Sequence, residues 1–225
     1  MITVHHLNNS RSQRVLWLLE ELGLEYTVQR YERDPRTMLA PPELRAVHPL
    51  GKSPVVVDGE RMLAESGAII EYLVQRYGNG RLQPAADSED ALRYRYWMHY
   101  AEASAMPPLL LKLVAQRIAS APIAWPLRPL VAPVARRIGQ ALQTDLVDPQ
   151  LALHLGYVDS ELRKTGWFAG EEFTAADIQM SFPLEAAHKR APQPGLKAIA
   201  DFVQRIHARA AYQRALATGG EYAYA

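Results

Sequence analysis

Ile2-Thr3-Val4-His5-His6-Leu7-Asn8-Asn9-Ser10-Arg11-Ser12 decides how the first half of the chain folds. Its first six residues form a short β-like run, and a polar turn follows. From Ser12 to Leu24 apolar residues recur at Val15, Leu16, Leu18, Leu19 and Leu22, the spacing of one helix face. Gly23 supplies a stop, because it readily adopts the left-handed conformation of a helix C-cap. Tyr26 to Tyr31 alternates again and predicts a second strand. Strand, helix and strand in succession make a βαβ unit with parallel strands.

Working outward, Asp34 to Pro49 is proline-rich and predicts irregular chain. Pro54-Val55-Val56-Val57-Asp58 and Arg61-Met62-Leu63 flank Asp58-Gly59, a hairpin signal. Between Glu65 and Tyr77 the apolar residues return to helical spacing. Residues 1–80 therefore read as a β-α-β, loop, β-β-α domain, and residues 81–90 as a linker. No segment from Ala91 onward alternates, so residues 91–225 are predicted all-helical. The expected helices are a long one from Leu92 to Ile118 bent at Met106-Pro107-Pro108, and a second from about Pro133 or later to Lys164. Thr174-Ala175-Ala176-Asp177 resembles a capping box and starts another. Leu196, Ile199, Phe202, Val203 and Ile206 mark a last amphipathic helix. The fold class is α/β followed by all-α.

Composition narrows function by exclusion. The 225 residues carry 25 Lys plus Arg against 24 Asp plus Glu, which leaves no basic footprint for nucleic acid. Cysteine is absent, excluding disulfides, thiolate metal sites and a cysteine nucleophile. Met1 to His6 lacks the features of a secretory signal. The longest apolar-rich stretch, Ile118 to Val134, is interrupted by Arg128 and by prolines, so no membrane span is expected and a cytoplasmic location is. Leu50-Gly51-Lys52-Ser53 mimics the end of a phosphate loop. Ala46 stands where the first glycine is needed, however, and Pro54 blocks the helix that should follow. No two of the seven histidines are three or four residues apart, so no metal site is expected.

Three short stretches can carry chemistry. Asn8 to Ser12 lies after the first strand, where α/β units bind ligands. Ser10 or Ser12 there either caps the helix or presents a hydroxyl to an anion. Glu65-Ser66 opens the helix closing the first domain. It caps that helix, or holds an α-amino-acid head group with carboxylate on Ser66 and ammonium on Glu65. Lys52-Ser53-Pro54 precedes an apolar strand, and a cis proline there would turn the preceding backbone outward toward a peptide ligand.

The order and spacing of these three stretches resemble the thioredoxin-like domain of the glutathione transferases. The helical half, with Phe173-Thr174-Ala175-Ala176-Asp177-Ile178, resembles their second domain. The likeness spans the whole chain and is strongest to a fungal and bacterial subgroup that includes the yeast enzymes. It implies glutathione as co-substrate, its γ-glutamyl group on Glu65 and Ser66, its cysteinyl backbone on Ser53 and cis Pro54, and its glycyl carboxylate near Lys52. Many members carry Val or Ile where this chain has Ser53. Thr174 and Asp177 match a structural capping pair. The thiol-activating slot falls on Asn9 by spacing from Arg14-Val15, while Ser10, one residue later, offers a hydroxyl donor; Ser10 is preferred and Asn9 is the alternative. Tyr96, Tyr100, Ser104 and Met106 are candidates to line the pocket of a small-molecule electrophile, or else pack the core. The resemblance further implies a homodimer and an optional peroxidase side reaction. A thiol reductase would need a cysteine in the first loop. The rival reading is a non-catalytic interaction module of the same fold.

Overall fold

The computed structural model describes residues 1–225. Its first half contains β1 (Ile2–Leu7), α1 (Ser12–Leu22), β2 (Tyr26–Tyr31), α2 (Pro42–Val47), β3 (Val55–Asp58), β4 (Arg61–Ala64) and α3 (Ser66–Tyr77). The sheet runs β2-β1-β3-β4, with β1 parallel to β2 and β3 antiparallel to both neighbours. Gly23 caps α1 at φ +68°, where a Cβ would be strained. The expected thioredoxin-like arrangement is present. One helix was missed: α2 sits in the stretch expected to be irregular. Its Pro42 lies in the first turn, where a missing N–H costs nothing.

The second half is helical: α4 (Glu89–Tyr100), α5 (Met106–Ala119), α6 (Arg128–Leu142), α7 (Asp148–Thr165), α8 (Ala175–Arg190), α9 (Lys197–His207) and α10 (Ala210–Gly219). The bend expected at Met106-Pro107-Pro108 lies one turn earlier, as a π-helical turn over Ala101–Ala105. Pro107 and Pro108 lack the N–H groups that would bond the carbonyls of Ala103 and Ser104, so the ladder fails on the N-terminal side of the prolines. The helix expected from Pro133 starts at Arg128 instead. Pro129 falls in its first turn, and Pro133 forfeits a single bond. α10 had no expectation; its alanine-rich sequence carries little apolar periodicity, yet it covers α1, with Tyr212 edge-on to Trp17 at 5.2 Å. No helix is long and apolar enough to cross a membrane.

One apolar core of 39 buried residues joins the two halves. α1 is its axis: Val15, Leu16, Trp17, Leu18 and Leu19 are wholly buried between the sheet and the helical half. Arg14, also on α1 and 1% exposed, bonds the Gln179 carbonyl and pairs with Glu102. Burial pushes the Glu102 carboxyl up, but the Arg14 and Arg11 guanidiniums outweigh it and hold the group below its usual value.

Candidate functional site

All three chemistry-bearing stretches reach one end of the sheet. The register pairs Val55 with Ala64, so Pro54 and Glu65 face each other one step beyond. Leu7 N–H donates to Ser53 Oγ at 3.2 Å, and Ser53 Oγ–H donates to the His5 carbonyl at 3.1 Å. Ser53 thus clips its turn to β1, a use for a hydroxyl that an apolar residue could not supply. The Ser53–Pro54 peptide is cis.

Neither side chain of the Glu65-Ser66 pair caps α3: the cap position is Glu65, and it makes no capping bond. Glu65 has φ +71°, unfavourable for a non-glycine residue. Ser66 is buried and Glu65 exposed. Capping therefore does not account for this pair.

The first loop separates its two candidates. Ser10 is 4% exposed, and its Oγ lies 2.7 Å from Ser12 Oγ and 3.3 Å from Ser53 Oγ. It also accepts the Ser12 N–H at 3.2 Å. Ser12 Oγ in turn sits 2.9 Å from His6 Nδ1. Burial, followed by the charge of Arg30, lowers the His6 imidazole to about 4, so the ring is neutral at neutral pH. Ser53 Oγ–H is committed to the His5 carbonyl, so in the Ser10–Ser53 contact the Ser10 hydroxyl is the donor, and its hydrogen is directed into the protein. Asn9, half-buried at φ +51°, accepts the Ala223 N–H on Oδ1 at 2.7 Å. Its Nδ2 hydrogens stay uncommitted within the chain.

Between the halves lies a cavity of about 540 Å³. Asn9, Ser10, Lys52, Ser53 and Met106 line it. Pro54, Glu65, Ser66, Tyr96, Tyr100 and Ser104 are outside its lining. Tyr100 donates to or accepts from His154 Nδ1 at 2.6 Å, and Tyr96 packs edge-on against Trp97 and Tyr157, outside the cavity lining. Helical spacing shows that these tyrosines share a face of α4; the partners of that face are tertiary.

Sequence reasoning missed the cavity's charge. Arg33, Arg45, Lys52, Arg117 and Arg190 line it, beside Arg11 and Lys112, which pair with Glu102 and Asp148; no Asp or Glu does. These cations are scattered along the chain, so no local run announces them. Also missed was the segment after α10. Tyr222 donates to the buried Glu185 at 2.7 Å, and Tyr224 packs on Phe182 beneath Arg190, whose guanidinium is 4.7 Å from the Tyr224 ring. Tyr222-Ala223-Tyr224 was the available signal: two aromatics on alternate positions. Nowhere in the chain do three or more His, Asp or Glu side chains converge as a metal site would require.

The two halves thus form a thioredoxin-like domain abutting a helical bundle, with an electropositive cleft at their junction. Residues 1–75 match the family profile described as glutathione S-transferase, N-terminal domain, and residues 125–210 that of the glutathione S-transferase C-terminal domain. Glutathione S-transferase 1 of Saccharomyces cerevisiae is 34% identical over 99% of this chain and 98% of its own. Glutathione S-transferase 3 of Schizosaccharomyces pombe is 39% identical over 84% of this chain and 75% of its own. A glutathione S-transferase from Actinobacillus pleuropneumoniae superposes with a TM-score of 0.79 at 32% identity, covering 100% and 95% of the two chains. A sphingomonad glutathione S-transferase solved with glutathione gives 0.72 at 20% identity, covering 97% and 98%. The chain belongs to the glutathione S-transferase family.

Proposed function

We propose that this protein binds glutathione at the junction of its two halves and transfers the thiolate to small electrophilic molecules, as a cytoplasmic, detoxifying homodimer that also reduces hydroperoxides as a side activity. The observation that carries the reading is a cleft lined by cations with no carboxylate among them, facing an uncommitted Asn9 amide. Glutathione is an anionic peptide whose charge grows when its thiol ionises, and such a cleft favours that form. Glu65 and Ser66 hold the γ-glutamyl ammonium and carboxylate, the Ser53 backbone pairs with the cysteinyl unit ahead of Pro54, and Lys52 neutralises the glycyl carboxylate.

A free thiol ionises near pKa 8.5, and lowering that by about two units requires about 2.7 kcal/mol of preference for the anion. A hydrogen bond from Asn9 Nδ2 to the thiolate supplies about 1.5–3 kcal/mol, and the N-terminus of α1 contributes the remainder. Ser10, its proton directed inward, positions the loop that presents Asn9. The electrophile lies against Met106, Leu109, Leu113 and Phe182 on the helical wall. Leu92 at 71% exposure, Tyr96 at 46% and Met62 at 50% leave apolar surface for the partner subunit.

Titration calorimetry with glutathione tests the reading, followed by conjugation to an aryl halide activated by nitro groups. Binding at millimolar glutathione or tighter, weakened about tenfold or more by Ser66→Ala, is the expected result. No binding at that concentration would transfer the fold to the interaction-module reading. Sedimentation at micromolar protein reads the dimer directly.

A further inference from the structure

Between Glu102 and Asp145 the chain contains no Asp or Glu but five Lys or Arg, although its charges overall nearly cancel. This segment includes α5 and α6, an antiparallel hairpin in which Lys112 reaches Asp148 beyond the far end of α6. The helices meet through small residues: a Cβ on Gly139 would collide with the Ala115 carbonyl and with Ala119. Seating α6 on alanine and glycine leaves its larger apolar side chains elsewhere. Leu130, Val131, Val134 and Ile138 are 74%, 43%, 57% and 54% exposed, a stripe at helical spacing. On α5, Leu110, Leu111 and Val114 are exposed likewise.

The two stripes lie on one side of the hairpin. Val114 precedes Ala115 and Ile138 precedes Gly139, so each stripe is turned about 100° from its own seam. Antiparallel helices rotate in opposite senses along a shared view, and equal offsets then fall on the same side. The tip continues this surface. Ala121 to Leu127 carries no charge and no polar group other than the Trp125 indole N–H, and Trp125 is 85% exposed. Surface connections ordinarily carry polar turn residues. Arg117 and Arg128 flank this tip, and Arg136 and Arg137 follow along α6. Lys112 has its partner in Asp148, whereas these four arginines form no ion pair within the chain.

We propose that the α5–α6 hairpin docks the protein on the surface of an anionic lipid bilayer, with Trp125 and the flanking apolar side chains entering the interfacial layer. An apolar stripe on a hairpin whose charged residues are all cations matches the negative surface of such a membrane, and tryptophan favours that depth. A second copy of the chain fits less well, since it would set unpaired arginines against each other. Leu110 belongs both to the exposed stripe and to the cavity lining, so docking brings the rim of the cleft to the lipid surface.

The test is co-sedimentation of the full-length protein with phosphatidylcholine vesicles, with and without phosphatidylserine. Binding to the anionic vesicles should exceed binding to the neutral ones by about tenfold or more, and should fade as added salt shortens the screening length to about 3 Å. Trp125→Glu and the double variant Arg136→Glu with Arg137→Glu should each lower it about tenfold or more while keeping the melting temperature, because all three residues are exposed. Absence of binding to the anionic vesicles, or wild-type binding by the Trp125 variant, overturns the proposal. So does sedimentation in which Trp125→Glu abolishes self-association of lipid-free protein, for the surface then covers a second copy. None of these readouts involves glutathione, so failure here is separate from failure of the functional reading.

Discussion

At the scale of single residues, the decisive question is which donor meets the sulfur. The Ser10 hydroxyl donates to Ser53 and lies against Ser12, while Asn9 keeps its amide hydrogens. Asn9→Ala should therefore raise the pKa of bound glutathione and cut turnover up to a few hundredfold, the loss of about 2–4 kcal/mol expected for one donor to an anion. Ser10→Ala should mainly cost stability, about 1 kcal/mol, with a smaller change in the thiolate titration. Ultraviolet absorbance of the bound thiolate against pH ranks the two, and the opposite ranking returns the role to Ser10. Glu65 offers a second test. Its φ of +71° stores about 1–3 kcal/mol of backbone strain, which glycine relieves. Glu65→Gly should raise the melting temperature and still lose glutathione affinity about tenfold, whereas Glu65→Ala loses affinity with no gain in stability. A Glu65→Gly variant of unchanged or lower melting temperature would show that the strain is absent.

At the scale of elements, the start of α8 is the most exposed to a single change. Asp177 is fully buried and accepts the Phe168 N–H at 2.9 Å, the Thr174 N–H at 2.8 Å and the Thr174 hydroxyl at 3.1 Å. Asp177→Ala strands two buried backbone donors and should destabilise by about 3–4 kcal/mol. Thr174→Ala, which loses one cap acceptor, should cost about 1 kcal/mol. Urea midpoints of the two variants measure the ratio, and equal costs would contradict this geometry. The cap was legible beforehand, because Thr-x-x-Asp ahead of a helix has its partners fixed by three residues of spacing. The path of Pro107 and Pro108 was legible only in part: their missing N–H groups were evident, but the carbonyls left unpaired lie a turn earlier.

At the scale of the whole molecule, one core binds the halves, and Arg14 is its polar bolt. Arg14→Met strands the buried Gln179 carbonyl and leaves Glu102 with Arg11 alone, and should destabilise by about 2–3 kcal/mol. Near- and far-ultraviolet dichroism should still report a single coincident unfolding transition. Two separated transitions would mean that the halves fold independently. His6 couples this core to pH. Unfolded, its imidazole gains a proton below 6.5; folded, it does so only near 4, so the unfolded state binds more protons across that window and acidification weakens the fold. The stability difference between wild type and His6→Gln should accordingly shift against the wild type by up to about 3 kcal/mol between pH 6.5 and 4. A difference constant with pH would show that His6 titrates normally.

The sequence by itself determined the local order: β1, α1 and β2, the hairpin at Asp58-Gly59, the capping box and the helical second half. Each depends on periodicity or turn chemistry within a dozen residues, and such information is written locally. It also supplied the three stretches that reach the sheet's end. Only the tertiary structure decided how they are used. That Ser10 faces inward depends on Ser53 in the turn ahead of β3; that the cleft is electropositive depends on arginines from both halves; that Tyr96 and Tyr100 turn toward His154 and Tyr157 depends on where α7 packs. These outcomes arise from contacts between residues far apart in the chain, and hydrogen-bond direction, burial and field are properties of the assembled neighbours.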